Sequence, residues 1–197
     1  MFLSIIIVLI AVSVHEFAHA WAADYLGDPT AKLEGRLTLN PLAHLDPIGT
    51  LTLFLFGFGW GKPVPVDNYN LKNPRRDEAL ISLAGPLSNI ILALLVGIIF
   101  NFSPYKLPTT SYQILVNFLA INLGLAYFNL LPFPPLDGSK IFLALLPFEQ
   151  AVEAENALSQ YGLILLLMSF LPIFNGRSLI DLILGPLVQI SLQILIQ

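Results

Sequence analysis

The chain has 197 residues, 56% of them hydrophobic and only 11% charged, with no cysteine and a net charge of -4. A mean hydropathy of +0.77 is too high for a soluble domain of this length and calls for a lipid solvent. The acidic balance leaves no basic surface for nucleic acid. The missing cysteines exclude disulfides, iron-sulfur clusters and thiolate zinc sites, so any metal must be held by His, Asp or Glu.

The first apolar segment, residues 2–26, is long enough to span a bilayer. Its only ionisable side chains before Asp24 are His15, Glu16 and His19. On a helix, residues four apart share a face, so His15 and His19 can turn ring nitrogens toward one ion. Glu16 then sits beside the open coordination position, placed to take a proton from the water there. The competing reading is two buried histidines bonded to backbone or to a neighbouring helix. The cost of ionisable groups in lipid favours the metal. Ala18-His19-Ala20 has the small-x-small form of a leader cleavage site, but no Lys or Arg precedes Lys32 and cutting there would discard the cluster. Cleavage is therefore not expected.

A proline-punctuated loop follows at residues 40–47, carrying His44 and Asp46. Residues 51–61 are too short and glycine-rich for a spanning helix. Their alternation of aromatics and glycines predicts a short membrane-associated β-like re-entrant segment. Open strand edges cannot face lipid, so it must lie against protein or line a cavity. There it would pair with an extended substrate by strand addition or serve as a plug.

Further apolar segments lie at 79–102, 112–131, 158–174 and 179–196, the segment at 158–174 being marginal in length. The expected fold is an all-α polytopic membrane protein of about five membrane helices. A single membrane-embedded domain is expected over 1–197, with a catalytic core at about 1–147 and accessory apolar helices at about 158–196. Gly85, Asn89, Ala93 and Gly97 recur every four residues, a stripe that lets helix backbones approach. The glycines and the alanine read as packing, and Asn89 as a hydrogen-bonding support near the site. With the first helix running inward, Lys32, Arg36, Lys62, Lys72, Arg75, Arg76 and Lys140 fall on one side, and Lys106 and Arg177 on the other. The positive-inside rule makes the first side cytoplasmic. The site then lies inside the bilayer toward the cytoplasm.

A catalytic zinc commonly takes three protein ligands and keeps one position for water. Two residues can complete the set. His44 is the only other histidine, but its loop is expected at the membrane surface. Asp137 lies in Asn129-Leu130-Leu131-Pro132-Phe133-Pro134-Pro135-Leu136-Asp137-Gly138, where three prolines break the helix and free a carboxylate to turn inward.

These motifs together resemble the site-2 proteases, the family of intramembrane zinc metalloproteases. The resemblance rests on His15-Glu16-x-x-His19, on Leu136-Asp137-Gly138 with the preceding Asn129-x-x-Pro132, and on Ala84-Gly85-Pro86 with Asn89. It runs from about residue 15 to 138 and is nearest the small prokaryotic members without a PDZ or CBS domain. It implies that His15, His19 and Asp137 bind one Zn2+ per chain. It further implies that Glu16 is the general base and acid, and that Asn129 helps hold the substrate or the developing oxyanion. The implied partners are a transmembrane protein or peptide substrate and the lipid bilayer. His44 and Asp46 are then expected to structure their loop. The alternative is a non-enzymatic metal-binding membrane protein or metal carrier using the same His/Asp cluster. A carrier needs further polar residues along a path, and residues 158–197 offer almost none.

Overall fold

A computed structural model describes residues 2–56, 59–102, 108–173 and 175–196. In chain order the helices are α1 (Phe2–Leu26), α2 (Thr30–Leu33), α3 (Pro47–Phe56), α4 (Pro74–Asn101), α5 (Thr109–Asn129), α6 (Asp137–Leu145), α7 (Phe148–Ser169) and α8 (Leu179–Leu195). α4 is the central element, packed against α1, α5, α6 and α8, while α8 also lies on α5 and α7 touches α6.

α1, α4 and α5 are long and apolar enough to cross a membrane. The two faces of α4 identify its solvent. Leu87, Ile91, Leu95 and Ile98 point outward and are exposed, whereas Gly85, Asn89, Ala93 and Gly97 are buried. An apolar outside over a small, polar inside suits a helix solvated by lipid and packed by close backbone approach. Ala93 joins Leu119, Leu123 and Leu195 in an apolar core between α4, α5 and α8.

Two expectations need correction. Among the described residues three helices, not five, meet the length and composition of a membrane span. α7 begins ten residues before the expected segment and carries Glu149, Glu153 and Glu155 in its first half. Its apolar part, 158–169, is only about 18 Å long at 1.5 Å per residue, against a hydrocarbon core of about 30 Å. α8 has 17 residues, about 26 Å of helix. The β-like segment is the second correction, because residues 47–56 form helix α3. Its start is set by Asp46, whose Oδ1 accepts from the Gly49 N–H at 2.8 Å, and by Pro47 in the first helical position. Gly57 and Phe58 lie outside the described residues. Among the described residues the extended pairing is one antiparallel bridge, Leu45 with Gly61.

The connection from α1 to α4 is tied down by a buried acid. Gly27 at φ 109° ends α1 in the left-handed conformation that glycine adopts freely. Asp28, wholly buried, then accepts from the Thr30 N–H and hydroxyl, the Asp67 N–H and the Asn70 amide. Burial works to raise the Asp28 carboxyl, but those hydrogen bonds outweigh it and hold the group below the usual carboxylate range. A lowered folded pKa stabilises the fold fully above the unfolded value of about 3.9, and that contribution is lost as pH falls through the folded value. Asp28→Ala is expected to lower stability at pH 7 by about 1–3 kcal/mol per donor left buried and unpaired. Thermal unfolding in detergent at pH 7 and pH 3 checks this, since the gap between variant and wild type must narrow in acid.

Candidate metal centre

α1 places His15 and His19 one turn apart, both buried, with ring centroids 4.6 Å apart and the rings nearly perpendicular at 84°. The third group arrives from far along the chain. α5 ends at Asn129, the proline-rich turn reverses direction, and α6 opens on Asp137. Asp137 Oδ2 lies 3.1 Å from His15 Nε2 and 3.3 Å from His19 Nε2.

Both ends of α6 are held. At its start, a Cβ on Gly138 would collide with the Leu130 and Leu131 carbonyls, so only glycine lets α6 press onto the end of α5. At its far end, the Arg75 guanidinium from α4 donates to the Leu143 and Leu146 carbonyls. Lys140 pairs with Glu78 of α4 at 2.8 Å. α6 is therefore clamped to the helix that also forms one wall of the site.

The outer nitrogens fix the two imidazoles. His19 Nδ1 donates to the Ile81 carbonyl at 2.7 Å, and His15 Nδ1 donates to Asn89 Oδ1 at 2.7 Å. A neutral imidazole protonated on Nδ1 carries its lone pair on Nε2. Three lone-pair atoms, the two Nε2 and an Asp137 oxygen, thus lie within 4.8 Å of one another. Such a convergence is repulsive unless a metal ion or a proton lies among them.

The set fits zinc on two counts. Donors about 2.0–2.1 Å from a tetrahedral ion are separated by about 3.3 Å, close to the 3.1 and 3.3 Å seen here. Gly85 lets α4 approach these donors closely, since a Cβ there would run into Nε2 of both His15 and His19. Charge also balances, because a divalent ion offsets the Asp137 and Glu16 carboxylates.

Glu16 is half-buried and accepts no hydrogen bond from the described residues. Its Oε1 lies 3.9 Å from where a Gly61 Cβ would stand, so the backbone at Gly61 borders the carboxylate. That backbone is held by the Leu45 bridge and by the Lys62 N–H donating to the His44 carbonyl at 2.8 Å.

The other expected residues are placed as follows. Asn89 is fully buried at the centre, in contact with His15. Asn129 donates its amide to the Leu125 carbonyl one turn back, at 3.0 Å. His44 lies outside the cluster, donating from Nε2 to the Thr38 carbonyl at 2.7 Å, and it structures its loop as Asp46 caps α3. Two residues of the centre have no expected role in the sequence reading. Gly85 stands in a motif and a packing stripe, with no sign that its neighbours are imidazoles. Asn122 is one of three asparagines in α5, and nothing in the sequence sets it apart from Asn117 and Asn129.

The pattern of Peptidase family M50 matches residues 3–110 and 105–169. The "Putative zinc metalloprotease YwhC" of Bacillus subtilis is 41% identical over 173 residues, covering 84% of this chain and 78% of that protein. The "Putative zinc metalloprotease Rip2" of Mycobacterium tuberculosis is 36% identical over 180 residues, 85% of this chain and 66% of its own length. The "Zinc metalloprotease MJ0392" of Methanocaldococcus jannaschii is 29% identical over 141 residues, 72% of this chain and 33% of its own length. No solved structure matches. With its motifs, its apolar helices and these relatives all in agreement, the chain belongs to peptidase family M50, the site-2 protease family of zinc metalloproteases.

Proposed function

We propose that this protein hydrolyses peptide bonds in or near transmembrane segments of other membrane proteins, with Glu16 as general base and acid. The observation that carries the reading is the convergence of His15, His19 and Asp137 to within 4.8 Å of one another beside Gly85, with Glu16 on the same helix as the two histidines. His15, His19 and Asp137 hold one zinc ion, which when bound polarises the scissile carbonyl and lowers the pKa of a water. Glu16 accepts the proton of that water as its oxygen attacks the carbonyl carbon. It then returns the proton to the leaving amine, so the reaction takes up no net proton.

A helix hides its carbonyls in its own hydrogen bonds, so the substrate must unwind locally before attack. Asn129 has a second amide N–H beyond the one given to Leu125, available to a substrate carbonyl. α1, α4 and α5 cross the bilayer, α7 and α8 accompany them, and all form one membrane-embedded domain. The lysine and arginine distribution puts the site nearer the cytoplasm.

Elemental analysis of the purified protein tests the ligand set. Wild type is expected to carry about one zinc per chain, and Asp137→Ala and His19→Ala each to carry close to none, since losing one of three ligands dismantles the site. A folded wild type that takes up no zinc after supplementation overturns the reading.

A further inference from the structure

Behind His15 the hydrogen bonding continues through two more helices. Asn89 of α4 and Asn122 of α5 are both fully buried, deep among apolar residues. Asn122 donates its amide to the Phe118 carbonyl at 2.9 Å, which turns its Oδ1 toward α4. That oxygen accepts one N–H of Asn89 at 3.0 Å, and the Ala11 carbonyl of α1 accepts the other at 3.0 Å. With both N–H groups committed to acceptors, Asn89 can offer His15 Nδ1 only its oxygen. His15 must then carry its proton on Nδ1 and leave Nε2 free. The direction of every bond in this chain is set by a backbone carbonyl at each branch, because a carbonyl can only accept.

We propose that Asn122 is a positioning residue of the metal centre. Acting through Asn89, it holds His15 in the tautomer and orientation that present Nε2 to the ion. This rests on the zinc reading of His15, His19 and Asp137 above. Asn122 hydrogen-bonds to Asn89 and the Phe118 carbonyl and to none of the three ligands. Its part is to supply the second acceptor without which one Asn89 N–H is left unpaired in the protein interior and the amide is free to turn. Partners of this kind behind a ligating histidine are worth about 10- to 100-fold in metal affinity.

The test measures zinc affinity of the full-length protein in detergent, by competition with a chelator. The proteins compared are wild type, Asn122→Leu, Asn122→Asp and Leu119→Ala, with the visible spectrum of each cobalt(II)-loaded protein as a second readout. Asn122→Leu is expected to bind zinc about 10- to 100-fold more weakly and to change the cobalt spectrum. Asn122→Asp is expected to restore both, since a carboxyl oxygen accepts from Asn89, and in the neutral form its O–H donates to Phe118. Leu119 is fully buried on the same helix, so Leu119→Ala loses packing alone and should bind zinc as wild type does. Should Asn122→Leu fail to fold, Asn122→Ala removes the same amide without a larger side chain. A zinc-binding wild type whose Asn122→Leu or Asn122→Ala variant binds equally well overturns the inference alone. So does a Leu119→Ala variant that loses as much, or an aspartate that restores nothing. A wild type that binds no zinc overturns the metal-centre reading and this inference with it.

Discussion

Gly85→Ala is expected to yield a folded protein with close to no zinc, against about one per chain in the wild type. The added methyl would collide with Nε2 of both His15 and His19. The rings can escape only by swinging away, and each is held by its Nδ1 bond, to Asn89 and to the Ile81 carbonyl. Either the histidines abandon those bonds or α4 withdraws from α1, and both outcomes separate the donors. Gly97→Ala is the matched control on the same stripe. Its Cβ would meet the Leu195 side chain at 3.2 Å, about 18 Å of helix away from Gly85. That variant should lose some packing and keep its zinc. Elemental analysis of both, with circular dichroism to confirm helix content, settles the comparison. A Gly85→Ala protein that still holds one zinc would show that the ion does not depend on the close approach at Gly85.

Glu16→Gln should do the opposite, retaining zinc while cleavage falls by about 10^2- to 10^4-fold, the usual worth of a positioned general base. Glutamine keeps the shape of the side chain but can no longer take a proton. A carboxylate that accepts no hydrogen bond from the described residues has no structural contact of that kind to lose, so the fold should be indifferent. Cleavage of a reporter transmembrane peptide in detergent, measured beside zinc content, separates the two effects. The same variant distinguishes a protease from a carrier. Metal transfer through His15, His19 and Asp137 needs ligand exchange and no base, so transport would survive the change. Undiminished cleavage by Glu16→Gln would remove Glu16 from the mechanism.

The parts of this site that were readable in the sequence are those whose geometry is local. His15 and His19 are four residues apart on one helix, and the helix alone makes them neighbours. Asp137 is 122 residues from His15, and no periodicity connects them. His44, expected at the membrane surface, was the other candidate until the resemblance to the site-2 proteases implied Asp137. The structure brings Asp137 beside His15 and His19, and it gives His44 a carbonyl partner in its own loop. Asn122 was invisible because its meaning depends on a partner 33 residues away on another helix. Gly85 was visible only as a small residue, as was Gly97. One meets two imidazoles and the other a leucine, a difference made by the neighbouring helices. The error at α3 has a different origin. Glycine and aromatic alternation in 51–61 outweighed the start signal in Asp46-Pro47, which was read as a turn. A capped proline start over an apolar run is also how a helix begins.

The residue separations in the centre have a thermodynamic side. A disulfide stabilises chiefly by denying the unfolded chain its freedom, and the benefit grows slowly with the length of loop closed. This chain has no cysteine, yet its candidate ligands join residues 122 apart along the sequence. An ion held by His15, His19 and Asp137 would act as a cross-link between the two halves of the core, fastening α6 to α1 across α4. Catalyst and staple would then be the same atom, so that a molecule which lost its chemistry by losing its metal would also loosen.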